Sequence, residues 1–205
     1  MLRNRSTSFL VSFLLAISLM VGVPSSASAT ESWSGFPKVG ACKTGVNNRG
    51  GHVLGLQAIM WIRGYSVQPN SGNDDTGDKW YPDTSRNLDG VAGQYTRNGI
   101  YWTQHYGNLG RDSCAGPATW NHLRNFVVRS GSVSCGTGGK MLNRYFVRQQ
   151  SGAGKKVEYR RIPGTGTSQS SWTVWTTGSA AGLVTGGVQA NKGYKMRPGF
   201  NTFSC

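Results

Sequence analysis

The sequence predicts an α+β protein: a small three-helix bundle followed by a small antiparallel β domain, each stapled by one disulfide. Three observations carry that expectation. Apolar residues recur at helical spacing in three stretches before residue 130. After residue 130, short runs rich in aromatic and β-branched residues alternate with Gly-rich turns. Four cysteines, Cys42, Cys114, Cys135 and Cys205, fall two in each half of the chain.

Residues 1–29 read as a secretory signal peptide. Arg3 and Arg5 give a positive end, Phe9 to Val23 is almost wholly apolar, and Ala27-Ser28-Ala29 supplies the small-residue pattern a signal peptidase accepts. The apolar run is shorter than the roughly 20 residues that span a bilayer, so export ranks above an uncleaved anchor. No later stretch is apolar enough to form a transmembrane segment, and the working chain is expected to start near Thr30, outside the cytoplasm.

Residues 30–50 form a polar, Gly-rich lead-in, expected to be extended and tethered at Cys42. Val53, Leu56, Ile59 and Met60 share one face of a helix over 53–63, closed by Gly64 as a C-terminal cap. A long polar loop then runs from Ser66 to Leu88. A second helix is expected over about 95–106. A third starts at Pro117, a favoured first-turn residue, with Trp120, Leu123 and Val127 on one stripe. These elements make up a helical domain over 51–130.

The strand-like runs are Met141–Gln150, Lys156–Ile162, Ser171–Thr177 and Gly193–Phe203, within a basic module over 131–205. Alternation along a strand puts Arg144 and Phe146 on one face and Tyr145 and Val147 on the other. No internal repeat is legible along the chain. An even cysteine count in an exported protein argues for two disulfides, with three connectivities open. The pairing Cys42–Cys114 and Cys135–Cys205 is expected because it gives each half its own staple.

The formal net charge is +14. Residues 30–134 hold ten Lys/Arg against seven Asp/Glu, whereas 135–205 hold ten against Glu158 alone. A field of that sign attracts polyanions. A purely solubilising exterior accounts for the charge equally well.

The second half lacks histidine and has one carboxylate. That is too little for a pair of glycosidase carboxylates or a His-rich zinc set. The cysteine spacings contain no CxxC pair. His52, His105 and His122, with Asp89 or Asp112, are a weak metal constellation, as are Asp74, Asp75, Asp78 and Asp83 in the long loop. Neither a metal nor a cofactor is expected.

One motif is more specific. Leu56-Gln57 on the first helix is followed by Gly64-Tyr65, then Asp89-Gly90, Gly93 and Thr96. Gln104, Asp112, Gly116-Pro117, Thr119-Trp120 and Leu123 complete it. This pattern, over about residues 50–127, resembles the three-helix peptidoglycan-binding domain found on many bacterial wall hydrolases. Thr103 stands where that family usually has an aromatic, and Ser113 replaces the Gly of the last Asp-Gly. The resemblance implies a shallow groove between helices with peptidoglycan as partner. Trp80, Tyr81, Tyr101, Trp102, His105 and Tyr106 are the ligand-binding candidates by chemistry, because aromatic faces cover the apolar face of a sugar. Packing competes for such rings in so small a domain, and Trp120 is assigned to the core. The expected function is a secreted, cell-wall-associated, non-enzymatic peptidoglycan-binding protein whose basic module contacts anionic wall polymers or a second partner. The alternatives are a divergent peptidoglycan hydrolase, and a secreted inhibitor or toxin-like protein using the binding fold as a scaffold.

Overall fold

The structure is a computed structural model. It describes residues 32–65, 88–136, 139–148, 157–163, 171–177 and 186–204, together with 181 and 184. Residues 1–29, read above as a signal peptide, Trp80, Tyr81, the four loop aspartates and Cys205 lie outside the described residues.

Among the described residues the chain is α+β. Helices α1 (Gly51–Arg63), α2 (Gln94–Tyr106) and α3 (Pro117–Arg124) come first. A two-stranded sheet pairs β1 (Val39–Gly40) with β2 (Cys114–Ala115). An antiparallel meander follows, built from β3 (Val127–Cys135), β4 (Lys140–Val147), β5 (Glu158–Arg161), β6 (Trp172–Trp175), β7 (Gly193–Lys195) and β8 (Thr202–Phe203). No helix among these residues is long and apolar enough to cross a membrane.

The first helix departs from the amphipathic pattern read in the sequence. Every residue from Gly51 to Ile62 is buried, not one face only. A helix covered all round must be packed on several sides, and α1 has α2 against it as well as β6 and β7. Two glycines permit the sheet's approach. A Cβ on Gly51 would lie 2.0 Å from the Lys195 carbonyl oxygen, and one on Gly55 would lie 2.7 Å from Met196 Cε. Tyr159 from β5 then reaches across to donate its hydroxyl proton to the Gly55 carbonyl at 2.7 Å.

The separation into a 51–130 domain and a 131–205 module therefore does not correspond to two cores. Glu31–Cys205 gather into one compact unit. The inner sheet row Tyr145, Tyr159, Val174 and Tyr194, set by the strand register, belongs to the same apolar core as Leu54, Ile59 and Trp120. The lead-in is part of it as well. Trp33 is 1% exposed and its ring touches Trp120, Tyr159 and Trp172 at centroid distances of 6.0, 6.1 and 5.2 Å. Helices and sheet thus close on a tryptophan from the segment expected to be a simple tether.

Two smaller boundaries also differ from expectation. The third helix ends at Arg124, because Asn125 closes it by donating to the Asn121 and His122 carbonyls. Val127 consequently begins β3, opposite Val147. The run Gly193–Phe203 is two strands, turned at Pro198-Gly199 with Gly199 at φ +80°. The Gly64 cap and the Pro117 start stand as read from the sequence: Gly64 is left-handed and Pro117 opens α3.

Cys42 and Cys114 form a disulfide beside the β1–β2 pair. Cys135 is buried and disulfide-bonded, while its expected partner Cys205 is outside the described residues.

The motif residues explain how the helices are joined. The Gln57 amide nitrogen lies 2.9 Å from Asp89 Oδ1, 3.1 Å from the Val91 carbonyl and 3.0 Å from Thr96 Oγ1, and its oxygen accepts the Gly90 N–H. The Gln104 nitrogen lies 2.8 Å from Asp112 Oδ1, 2.9 Å from the Cys114 carbonyl and 3.2 Å from Thr119 Oγ1. Its oxygen accepts the Asp112 and Ser113 N–H groups. Each Asp also accepts from the N–H two residues on. Asp89-Gly-Val-Ala-Gly-Gln-Tyr-Thr96 and Asp112-Ser-Cys-Ala-Gly-Pro-Ala-Thr119 are thus two copies of one turn-to-helix device. The sequence reading found no repeat because only the Asp, the Ala-Gly and the Thr coincide.

Candidate functional site

The two devices fix both ends of α2. Gly93, extended at φ −80°, precedes its first turn, and Gln104 anchors its last. Thr96, Gly99, Ile100, Thr103 and Gln104 form its buried side. Thr103, where the resembled family carries an aromatic, donates its hydroxyl to the Gly99 carbonyl at 2.7 Å.

The other side of α2 carries the rings. Four of the six candidates from the sequence, Tyr101, Trp102, His105 and Tyr106, come together here. Tyr101 and Trp102 meet edge-on at 5.6 Å, and Trp102 and Tyr106 lie 5.9 Å apart, tilted by 31°. His105 lies 5.3 Å from Trp102 and 5.2 Å from Tyr106. Tyr101 and Trp102 are half-buried, His105 is exposed, and Tyr106 is 58% exposed. Packing and display are therefore divided along one helix: Trp102 leans on the core, and Tyr106 projects from it. Trp80 and Tyr81 are outside the described residues.

Three further residues adjoin these rings, Arg63, Arg111 and the buried Tyr65, and were not singled out as ligand contacts from the sequence. Tyr65, counted there only as part of the motif, stacks on Tyr106 at 5.5 Å with 17° between the planes. The Arg63 guanidinium is 5.6 Å from the Tyr65 ring and 3.9 Å from Phe126. At the far end, the Arg111 guanidinium is 5.8 Å from the Tyr101 ring. Arg111 Nη1 also lies 3.5 Å from the Tyr101 hydroxyl and 3.4 Å from His105 Nδ1. A guanidinium only donates, so Arg111 is the donor in both contacts. Nothing in the local sequence marks Arg63 or Arg111, since single arginines at a helix end and in a loop are commonplace.

The other candidates separate from this surface. His52 is fully buried, its Nε2 2.8 Å from the Asn47 carbonyl oxygen; burial holds its pKa below the ordinary imidazole range, against the opposing pull of backbone bonds to Asn47 and Arg197. His122 packs on Phe126 at 5.0 Å; burial, then the Arg63 charge, lowers its pKa. Among the described residues no three His, Cys, Asp or Glu side chains are grouped as a metal would require.

On the sheet, Arg144 and Phe146 are half-buried while Tyr145 and Val147 are buried. Glu158 is itself buried and is paired with both Arg144, at 3.0 Å, and Arg160. Arg160 lies over the Trp175 ring at 3.6 Å, and Arg144 over Phe146 at 4.6 Å. Much of the outer sheet's cationic side is thus engaged in ion pairs and ring stacking within the fold. Among the described residues from Val127 onward, the exposed cations Arg129, Lys140, Arg148 and Lys192 are distributed over separate strands and turns.

No protein-family model, no curated protein and no solved structure matches the chain. Any functional reading therefore stands on the geometry and on the motif.

Proposed function

We propose that this is a secreted, non-enzymatic bacterial protein that binds peptidoglycan through the aromatic side of α2. The observation that carries the reading is the row Tyr101, Trp102, Tyr106 and Tyr65. Tyr101, Trp102 and Tyr106 stand on α2, whose two ends are set by the Gln57 and Gln104 devices of the peptidoglycan-binding-like motif, while Tyr65, just after α1, is buried and stacks on Tyr106. Side chains on a braced helix keep their spacing when a ligand arrives, so little ordering entropy opposes binding. The partly exposed rings of Tyr101, Trp102 and Tyr106 suit the apolar faces of pyranose rings, and the hydroxyls and imidazole between them suit sugar hydroxyls and acetamido groups.

The excess of positive charge in 135–205 supports a second, less specific attachment to anionic wall polymers. Its range is set by salt screening, whereas ring stacking is insensitive to salt.

Co-sedimentation of the mature chain with purified sacculi over a salt series tests both parts. Pelleting that persists at high salt is the expected result. Failure to pellet at any salt concentration overturns the reading, and pelleting abolished by modest salt leaves only the electrostatic part. Release of soluble muropeptides during the incubation would instead favour a hydrolase.

A further inference from the structure

The aromatic row is bounded at both ends by a guanidinium group. From one end to the other, Arg111, Tyr101, Trp102, Tyr106, Tyr65 and Arg63 follow one another at 5.8, 5.6, 5.9, 5.5 and 5.6 Å. Neither arginine is spent on a carboxylate: among the described residues the ion pairs are those of Glu158 with Arg144 and Arg160. Arg111 is held by the Tyr101 phenol and the His105 imidazole, not by a carboxylate. Arg63 is held by the Arg148 carbonyl at 3.2 Å and the Tyr65 hydroxyl at 3.4 Å. A guanidinium has five donors, so each keeps donors for a further partner. Both are fixed by ring contacts, which lowers the entropic cost of engaging an anion.

We infer that the row binds a saccharide that carries carboxylate groups, with sugar rings on Trp102 and Tyr106 and a carboxylate at Arg111, at Arg63 or at both. Charge complementarity selects this occupant. A neutral glycan would leave two oriented, unpaired cations at its ends, and a bare polyanion would leave the ring faces unused. In the wall, a carboxylate beside a sugar has two sources: the lactyl group of muramic acid after peptide removal, or the stem peptide itself. The inference rests on the reading that the aromatic row is the glycan contact.

The test titrates the mature chain with three soluble probes while following its ring and arginine side-chain NMR signals. The probes are a peptide-free disaccharide of N-acetylglucosamine and N-acetylmuramic acid, the same disaccharide bearing a stem peptide, and neutral N-acetylglucosamine tetramer. The acidic probes are expected to bind more tightly than the neutral one and to shift the Arg111 or Arg63 signals. The stronger of the two acidic probes identifies the source of the carboxylate. Arg111→Gln and Arg63→Gln should together weaken the acidic probe roughly three- to tenfold, the range between an exposed ion pair and a charged hydrogen bond, and weaken the neutral probe less, so that the preference for the acidic probe narrows. Arg111→Lys should retain part of the preference. Equal binding of neutral and acidic probes overturns the inference but leaves the peptidoglycan reading standing. If none of the probes binds and sacculi do not pellet the chain, both fall. Because the unsubstituted protein answers the question first, a variant that fails to fold does not decide it.

Discussion

Gln57 and Gln104 occupy equivalent positions in two copies of the same turn. Each carboxamide bridges an Asp carboxylate, a backbone carbonyl and a Thr hydroxyl, and each accepts backbone N–H groups from the turn it spans. Both are buried, at 3% and 2% exposure. A buried polar group that loses its partner costs about 1–3 kcal/mol, and each Gln satisfies several. Gln57→Leu and Gln104→Leu should therefore each lower the unfolding free energy by at least about 3 kcal/mol in urea titrations. A loss below about 1 kcal/mol at either position would show that the turns do not depend on these side chains.

The two copies differ at their second residue. Gly90 has φ +68°, and Ser113, its counterpart, is held at φ +57°. A left-handed conformation costs a residue with a Cβ about 1–2 kcal/mol, partly offset by the greater unfolded-state freedom of glycine. Ser113→Gly should accordingly gain about 0.5–1 kcal/mol. The reverse change is expected to be severe, because a Cβ at Gly90 would also lie 2.4 Å from Phe200 Cε1. Thermal unfolding of Ser113→Gly and Gly90→Ser in parallel checks the asymmetry, and equal shifts in the same direction would contradict it.

This pair also shows how much was legible from the residues alone. The Asp-Gly and Gly-Pro-x-Thr-Trp signatures mark turns and helix starts by local chemistry, so α1, α2 and α3 were readable within a few positions. The alternating strand runs were readable for the same reason. Trp33 was not, because a tryptophan in a Gly-rich lead-in has no periodicity to betray burial, and its partners Trp120, Tyr159 and Trp172 are far away in sequence. The all-round burial of α1 depends on Gly51 and Gly55 meeting Lys195 and Met196, again a long-range coincidence. The rings of α2 were recognisable as a cluster because they share one helix. Arg63 and Arg111 became part of the site only through contacts with Tyr65 and Tyr101.

Buried His52 and half-buried His122 give the protein a pH dependence of definite sign. His52 and His122 both have pKa values lowered from 6.5, first by burial. The unfolded chain then takes up protons at these sites more readily than the folded one. Stability is fully present above about pH 6.5 and falls as the pH drops below it. The melting temperature should decline from pH 7 towards pH 5, and His52→Gln should flatten that slope even if it lowers the starting value. A melting temperature that rises over the same interval would contradict the assignment.

The aromatic row is the centre of the functional account, and Tyr106 is its most exposed ring, so its replacement should leave the fold intact. The most direct measurement is sacculus pelleting of the mature chain beside Tyr106→Ser at a salt concentration high enough to screen charge attachment. The unsubstituted chain should pellet, and Tyr106→Ser, with an unchanged melting temperature, should stay largely in the supernatant. Equal pelleting of the two would contradict it.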